Sequence, residues 1–181
     1  MNRVEPIRSV EKIKQMKSLL LKQNFRDYLL FNFGINTGFR ISDILDLKVK
    51  DVKDKTHIEI TEQKTNKSKK QMINGQLKQD IDRYIQDMED EEYLFQSRKG
   101  ENEPISRVQA YRVLKKAANK LGLKKIGTHT LRKTFGYHHY QRNKDVAMLQ
   151  QLFNHSSPSV TLDYIGISQD EQDASMKNFY L

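Results

Sequence analysis

The sequence feature that most constrains the fold is a stretch in which apolar residues occupy almost every side of a predicted helix. This helix begins after Asn24, a good N-cap residue, and its apolar residues lie at positions 25, 28–31, 33 and 35. A helix that is apolar all round is normally buried inside a protein. It should end near Gly38, because glycine favours the left-handed conformation that follows many helices. The chain is therefore predicted to fold around this helix.

The remaining segments predict further helices and one small sheet. Residues 57–61 alternate like a strand, residues 71–73 are the expected return strand, and the basic residues 64–70 form the tip between them. Residues 97–104 are expected to form a loop. Amphipathic helices are expected over residues 9–22, 40–47, 76–88, 106–121, 130–141, 144–153 and 157–164. The pattern predicts a mainly α fold with a small antiparallel β-sheet, which belongs to the α+β class.

Composition favours a basic, cytoplasmic protein. The net charge is +9, with 32 Lys and Arg against 23 Asp and Glu, and nucleic acid is the commonest reason for such an excess. The absence of cysteine excludes disulfides and thiolate metal sites. The start has no apolar run typical of a signal peptide, and the longest apolar clusters fall far short of the roughly 20 residues that span a membrane. We therefore expect a soluble protein without membrane contact.

Two His-x-x-Arg pairs lie at the two ends of the predicted helix 130–141. His129 and Arg132 lie three positions apart, so their side chains share a helix face and can reach one phosphate together. His139 and Arg142 have the same spacing, so the pattern alone does not discriminate. The alternative for either pair is an ordinary solvated face.

Three other polar residues stand in informative contexts. Arg40 follows the glycine in Thr-Gly-Phe-Arg-Ile-Ser, where it either pairs with Asp43 or faces an anion. His155 precedes Ser-Ser-Pro at a helix start, and Tyr164 comes nine residues later. The alternatives are a local cap for the histidine and simple ring packing for the tyrosine.

Taken together, these pieces resemble the tyrosine recombinase family, also called the phage integrase family. Its signature runs in a fixed order: an arginine in a Thr-Gly-x-Arg-Ile-Ser box, a hairpin lysine, His-x-x-Arg, a histidine before a Ser-Ser-like pair, and a tyrosine about nine residues on. The chain matches this order from about residue 25 to residue 165. The resemblance implies the tyrosine recombinase catalytic-domain fold.

The resemblance also implies roles for particular residues. Asp43 resembles the acidic residue that supports the first arginine, and Lys67 is the alternative to Lys64 as the hairpin lysine. Asn154 departs from the glycine that the family often has before its second histidine. The implied catalytic side chains are Arg40, Lys64, His129, Arg132, His155 and Tyr164.

The implied reaction is DNA strand cleavage and rejoining through a 3′-phosphotyrosine link, without ATP. Two arginines hold the phosphate, Lys64 donates a proton to the leaving oxygen, and His129 assists as a base or a phosphate contact. No cofactor or metal is expected. His138 and His139 are helix neighbours that point about 100° apart, so they do not suit one ion.

Double-stranded DNA is the expected partner, with self-association on DNA into a synaptic tetramer. The helix 106–121 carries three candidate DNA-binding side chains: Arg112, Lys115 and Lys116. We expect residues 1–181 to form a single catalytic domain with a lead (1–8), a tail (166–181) that either exchanges between protomers or docks on its own core, and no N-terminal core-binding domain. Such a chain is either a short recombinase or a fragment of a longer one.

Two alternative functions remain at this point. A type IB topoisomerase would relax DNA through the same intermediate, and a non-catalytic regulator would bind DNA with the same fold. The Arg-Ile-Ser box and the Asn-His-Ser-Ser sequence favour a recombinase over a type IB topoisomerase. The presence of Tyr164 favours an enzyme over a non-catalytic regulator, because a protein that only binds DNA has no use for that phenol.

Overall fold

The structure, a computed structural model, describes residues 4–167 and 169–180. Its helices and strands, in chain order, are α1 (Val10–Gln23), α2 (Phe25–Thr37), α3 (Ile41–Leu45), β1 (His57–Thr61), β2 (Ser68–Met72), α4 (Gly75–Tyr84), α5 (Arg107–Lys120), α6 (Thr128–Asn143), α7 (Val146–Phe153), α8 (Pro158–Ile165) and α9 (Gln169–Met176). A 3₁₀ turn, Val49–Asp51, follows α3. The predicted class, mainly α with one small antiparallel sheet, is confirmed.

Helix α2 is the buried centre of the fold, as its composition predicts. Asn24 caps it, since its side-chain oxygen accepts a hydrogen bond from the Arg26 amide at 2.8 Å. Gly38 ends it with φ at +65°, the left-handed conformation. The helix packs most closely on α6 at Gly34, where an added Cβ would lie 2.5 Å from a methyl group of Leu131. The glycine therefore lets the two helix backbones approach each other.

The sheet is a two-strand hairpin whose return strand begins earlier than predicted. The register pairs Thr61 with Ser68 and His57 with Met72. The prediction placed the return strand at 71–73 because residues 68–70 are all polar, a composition that favours a loop. In the structure, the backbone of these residues pairs with β1 although no apolar side chain supports them.

Several helix boundaries also differ from the sequence prediction. Helix α4 ends at Tyr84 rather than at Met88, and α7 begins only at Val146, because the Asp145 carboxylate caps its first turn by accepting from the Met148 amide at 2.8 Å. Helix α9 was not predicted, since its sequence has no apolar stripe. Among the described residues, no helix combines the length and apolar character needed to cross a membrane.

The apolar interior forms two groups. The larger group is formed mainly by α1 to α5, the sheet and Leu131 of α6, and we call it the main core. The smaller group, the C-terminal cluster, consists of the buried residues Leu149, Phe153, Ile165 and Ile167 with partly buried aromatic residues around them. Helix α6 belongs to both, because Leu131 packs in the main core while Gly136 lies against Ile165 and Phe153. The candidate site lies where the two groups meet.

Candidate active site

Arg40 opens helix α3, directly after the turn that ends α2. One of its terminal nitrogens lies 2.6 Å from a carboxylate oxygen of Glu62, which is only 2% exposed. The Thr65 hydroxyl donates a hydrogen bond to this carboxylate at 2.8 Å. Burial by itself raises the pKa of Glu62, but the ion pair with Arg40 and the hydrogen bond from Thr65 outweigh it and lower that pKa. Glu62 was not predicted, because nothing in its local sequence indicates that the chain turns it inward after the strand.

Asp43, the expected support of Arg40, takes a different place in the structure. Its carboxylate accepts a hydrogen bond from the Gln63 amide at 3.2 Å, so it ties α3 to the hairpin. Burial raises the pKa of Asp43, although the Gln63 amide and the positive charge of Arg40 oppose the shift. Arg40 therefore forms its direct ion pair with Glu62, and Asp43 interacts with Arg40 through its charge.

Arg132 bridges the ends of two helices. One terminal nitrogen donates to the Gly38 carbonyl at 2.6 Å and the other donates to the Phe153 carbonyl at 2.9 Å. Both carbonyls lie at helix C-termini, where they lack helical partners and carry negative partial charge. A guanidinium group has five N–H donors, so these two bonds leave donors for an anion.

His155 and Tyr164 face each other beyond Arg132. Their ring centroids lie 5.0 Å apart in an edge-to-face arrangement, and the Tyr164 ring also contacts Phe153. Nδ1 of His155 lies 3.1 Å from the Thr161 hydroxyl, which itself donates to the Ser157 carbonyl at 3.2 Å. A hydroxyl has one proton, so Thr161 accepts from Nδ1–H, and Nε2 remains for another partner.

The two guanidinium groups act on the same pair of side chains. Burial raises the pKa of Tyr164, while the positive charges of Arg132 and Arg40 pull it back down. Burial, Arg132 and Arg40 all lower the pKa of His155. Residues that lie more than 90 positions apart in sequence therefore form one electrostatic unit.

His129 joins the same unit from the first turn of α6. Desolvation lowers its pKa, and the charges of Arg132, Lys133 and Lys64 lower it further. Lys64 is exposed in the turn between β1 and β2. Its side chain is accessible to solvent, and its charge acts on His129. The structure thus brings together all six predicted catalytic side chains.

The other hairpin lysines make defined contacts. Lys67, the alternative hairpin lysine, donates to the side-chain oxygen of Asn154 at 3.0 Å. Lys69 donates to the Leu152 carbonyl at 2.7 Å, and its ammonium group lies 4.9 Å from the centre of the Phe39 ring. Lys69 was not predicted as a site residue, since a lysine in a basic run gives no sign that it is half-buried.

Comparison with known proteins assigns the family. The profile of the phage integrase family matches residues 9–171, which is most of the chain. This chain belongs to the phage integrase family of tyrosine recombinases. The probable integrase/recombinase YoeC of Bacillus subtilis (strain 168) is 58% identical over 179 residues, covering 99% of this chain and 98% of YoeC. The tyrosine recombinase XerA of Pyrococcus furiosus is 30% identical over 161 residues, covering 87% of this chain but only 56% of XerA.

Solved structures of tyrosine recombinases have the same fold. A crystal structure of XerA recombinase superposes with a TM-score of 0.79 at 20% identity, covering 98% of this chain and 67% of that chain. A pre-cleavage complex of the XerH site-specific recombinase with its difH substrate gives a TM-score of 0.71 at 20% identity, covering 99% of this chain and 55% of that one. The predicted tyrosine recombinase fold is thereby confirmed.

The second His-x-x-Arg pair lies elsewhere on this tyrosine recombinase. His139 and Arg142 line a groove of about 430 Å³ between α6 and the ends of α2 and α4, and none of the six predicted catalytic residues lines it. The His139 ring packs beside Phe135, with centroids 5.5 Å apart. The sequence preference for the first pair thus agrees with the geometry.

The candidate DNA-binding side chains lie on α5. Arg112 and Lys116 are exposed, while the ammonium group of Lys115 donates to the Lys124 carbonyl at 2.6 Å. Their role in DNA binding stays a prediction. Across the part of the chain that the structure describes, no cluster of three histidine or acidic side chains forms a metal site.

Proposed function

We propose that this protein is a site-specific DNA recombinase, in which Tyr164 attacks a DNA phosphate and Arg40 and Arg132 bind that phosphate. The observation that carries the proposal is that both guanidinium groups act on the one phenol. A charged fork on each side of the phosphate suits the two non-bridging oxygens that gain charge in the transition state. An ion pair at 4 Å is worth about 1 kcal/mol in water and about 4 in a partly dry site, so enclosure by DNA strengthens this contact.

The phenol must lose its proton as it attacks. The pKa of Tyr164 is raised by burial, so the group is protonated at neutral pH and needs an acceptor. The lowered pKa values of His129 and His155 leave neutral imidazoles in the same pocket. We assign His129 as the base or phosphate contact, and Nε2 of His155 as a further phosphate contact once it is protonated.

Cleavage forms a 3′-phosphotyrosine bond and releases a 5′-hydroxyl, so the leaving oxygen needs a proton. Lys64 is assigned as the donor, because it lies at an exposed hairpin turn and its charge already reaches His129. The covalent link conserves the energy of the phosphodiester, so the strand is rejoined by the reverse step without ATP. No metal is assigned, because the arginines supply the positive charge.

The proposed setting is double-stranded DNA in the cytoplasm, with self-association on the DNA. One of the related structures is a lambda integrase dimer bound to a core site. The chain ends in exposed apolar residues, including Met176, Phe179 and Tyr180, and we assign this tail to contact with a neighbouring protomer. Residues 1–181 are assigned to one catalytic domain.

Incubation with nicked suicide DNA duplexes tests the proposal. Once cleaved, these duplexes lose the short strand that would rejoin, so the covalent adduct accumulates. We expect a slow-migrating adduct for the unchanged protein and none for Tyr164→Phe, a loss of at least about a thousandfold. Tyr93→Phe is the matched control, because the Tyr93 ring packs beside the ammonium group of Lys48, outside the candidate site, and it should cleave normally. An adduct that persists in Tyr164→Phe, or maps to Tyr140, would refute the assignment.

A sulfur-containing substrate tests the role of Lys64. Sulfur at the 5′-bridging position makes a leaving group that needs no proton, so it should restore cleavage by Lys64→Ala to within about tenfold of the unchanged protein. The same substrate should not restore Arg40→Ala, whose defect lies in binding phosphate charge. If Lys67→Ala rather than Lys64→Ala is rescued, Lys67 is the donor.

A further inference from the structure

Strand β2 has an inverted polarity. Its two inward side chains are Lys69 and Gln71, whereas Met72, the apolar residue of the strand, is 65% exposed. Side chains alternate between the faces of a strand, and the inward face normally carries the apolar residues. The polar inward face therefore needs an explanation from its contacts.

The inward donors of the hairpin meet the C-terminal ends of two helices. Gln71 donates to the carbonyl of Thr37, the last residue of α2, at 2.6 Å. Lys69 donates to the carbonyl of Leu152, in the last turn of α7, at 2.7 Å. Carbonyls at helix C-termini lack helical partners and carry negative partial charge, so each donor binds a carbonyl that its own helix leaves without a partner.

Lys69 spans the same two segments as Arg132. Arg132 binds the carbonyls of Gly38 and Phe153, and Lys69 lies against their chain neighbours, the Phe39 ring and the Leu152 carbonyl. Two cations therefore hold the end of α2 to the end of α7. The segment held in this way leads directly into His155.

Lys69 is an unfavourable residue for the fold alone. Burial lowers its pKa to about 8, and the groups that face it are Arg132 and Arg40, which repel it, and Glu62 and Asp43, which attract it. A half-buried ammonium group beside two guanidinium groups loses hydration that one carbonyl and one ring replace only in part. Proteins keep such groups chiefly at functional sites.

We propose that Lys69 is a positioning residue of strand cleavage, which fixes the last turn of α7 and thereby sets His155 and the Phe153 carbonyl relative to Arg132. The inference rests on the proposed recombinase function. It adds to the six residues of the family signature a seventh, which acts through the others and not on the DNA.

Lys69→Met tests the inference, with Lys70→Met as its matched control. Methionine keeps the length and apolar stem of lysine, and Lys70 is the next residue of the strand, exposed and paired with Glu59. With nicked suicide duplexes at saturating concentration, we expect Lys69→Met to cleave at least about tenfold more slowly, with DNA affinity changed less than about threefold. Its melting temperature should be equal or higher, whereas loss of a merely structural contact would lower it. Lys70→Met should match the unchanged protein in all three measurements.

Lys69→Arg provides a second readout, because arginine stays charged at every accessible pH. The cleavage rate of the unchanged protein should fall as pH rises through about 8, where Lys69 loses its proton. Lys69→Arg should cleave well at neutral pH and lack this step. In spectra without DNA, the His155 ring signals should move in Lys69→Met and stay in place in Lys70→Met.

The outcomes separate the inference from the proposed function. If the unchanged protein forms no adduct, the recombinase proposal fails and the inference fails with it. If the unchanged protein forms the adduct and Lys69→Met forms it at the same rate, only the inference is overturned. Identical alkaline profiles for the unchanged protein and Lys69→Arg would also overturn it.

Discussion

The main core and the C-terminal cluster hold different halves of the active site. The main core places Arg40 and Glu62, whereas the C-terminal cluster places His155 and Tyr164. In the part of the chain that the structure describes, this cluster has four buried apolar side chains, a small fraction of the number in the main core. Apolar burial stabilises by about 25 cal/mol per Å². The half of the site with Arg40 and Glu62 is therefore stabilised by extensive apolar packing. The half with the nucleophile depends on contacts between the C-terminal cluster and the main core.

The largest effect is expected from Arg132→Met, which removes the bridge between the two regions. Two buried carbonyls, of Gly38 and Phe153, lose their donor, and each costs about 1–3 kcal/mol. We expect the free energy of unfolding to fall by about 3 kcal/mol and cleavage by at least about a thousandfold. Chemical denaturation and suicide-duplex cleavage measure these effects. Arg142→Met, on the same helix but exposed, is the control and should be neutral.

Gly34→Ala tests the main core alone. The new methyl group would lie 2.5 Å from Leu131, so α2 and α6 must move apart, at a net cost of about 2 kcal/mol. Denaturation should show a lower midpoint, with hydrogen exchange faster throughout α2. Gly75→Ala is the control, because an added Cβ there meets nothing within 4 Å. A neutral Gly34→Ala would mean that the main core is looser than its packing indicates.

Gly136→Ala tests the C-terminal cluster in the same way. Its methyl group would lie 2.7 Å from both Ile165 and Phe153, the two residues that hold α8 and α7. Because the cluster is small, we expect it to open locally. Hydrogen exchange in α8 should accelerate by about tenfold, a local cost of about 1.4 kcal/mol, while α2 stays protected. Equal acceleration in both helices would show that the two regions unfold as one unit.

Glu62→Gln should have the smallest effect on stability, about 1 kcal/mol at neutral pH. The pKa of Glu62 is lowered in the folded protein, so its charge stabilises the fold above its ordinary pKa of 4.5. This stabilisation is lost as pH falls through the lower folded pKa. The difference between the unchanged protein and Glu62→Gln should therefore shrink in acid, measured by denaturation from pH 7 to pH 3. Glu59→Gln is the control, because Glu59 forms an exposed ion pair with Lys70 and lies on β1, three residues before Glu62.

The fold was predictable to the extent that local patterns determine it. The all-round apolar α2 and its caps at Asn24 and Gly38 are encoded within 15 residues, so the prediction was correct. The start of β2 was predicted wrongly, because its polar side chains meet distant helix ends. Helix α9 was missed, since it has no apolar stripe that would indicate a helix.

The sequence predicts the site residues that belong to the family motif. It does not predict the residues that support them through tertiary contacts. The six catalytic candidates stand in a recognisable order. Glu62 and Lys69 carry no motif. Their importance comes from the burial of Glu62 beside Arg40 and the half-buried position of Lys69 near Arg132, which only the three-dimensional structure gives. Asp43 was expected in the place that Glu62 takes, because helical spacing suggests a partner three residues away and cannot reveal one across a strand end.

Gly38 has a consequence for how such sequences are interpreted. Its φ is +65°, a Cβ there would overlap the Phe135 ring, and its carbonyl accepts from Arg132. None of these requirements involves a substrate. A descendant that had lost Tyr164 and all activity would still need this glycine to fold, so we expect the glycine to be kept in inactive descendants as well as in active enzymes. A search of genomes for active members of the family should therefore assess Tyr164 separately from Gly38.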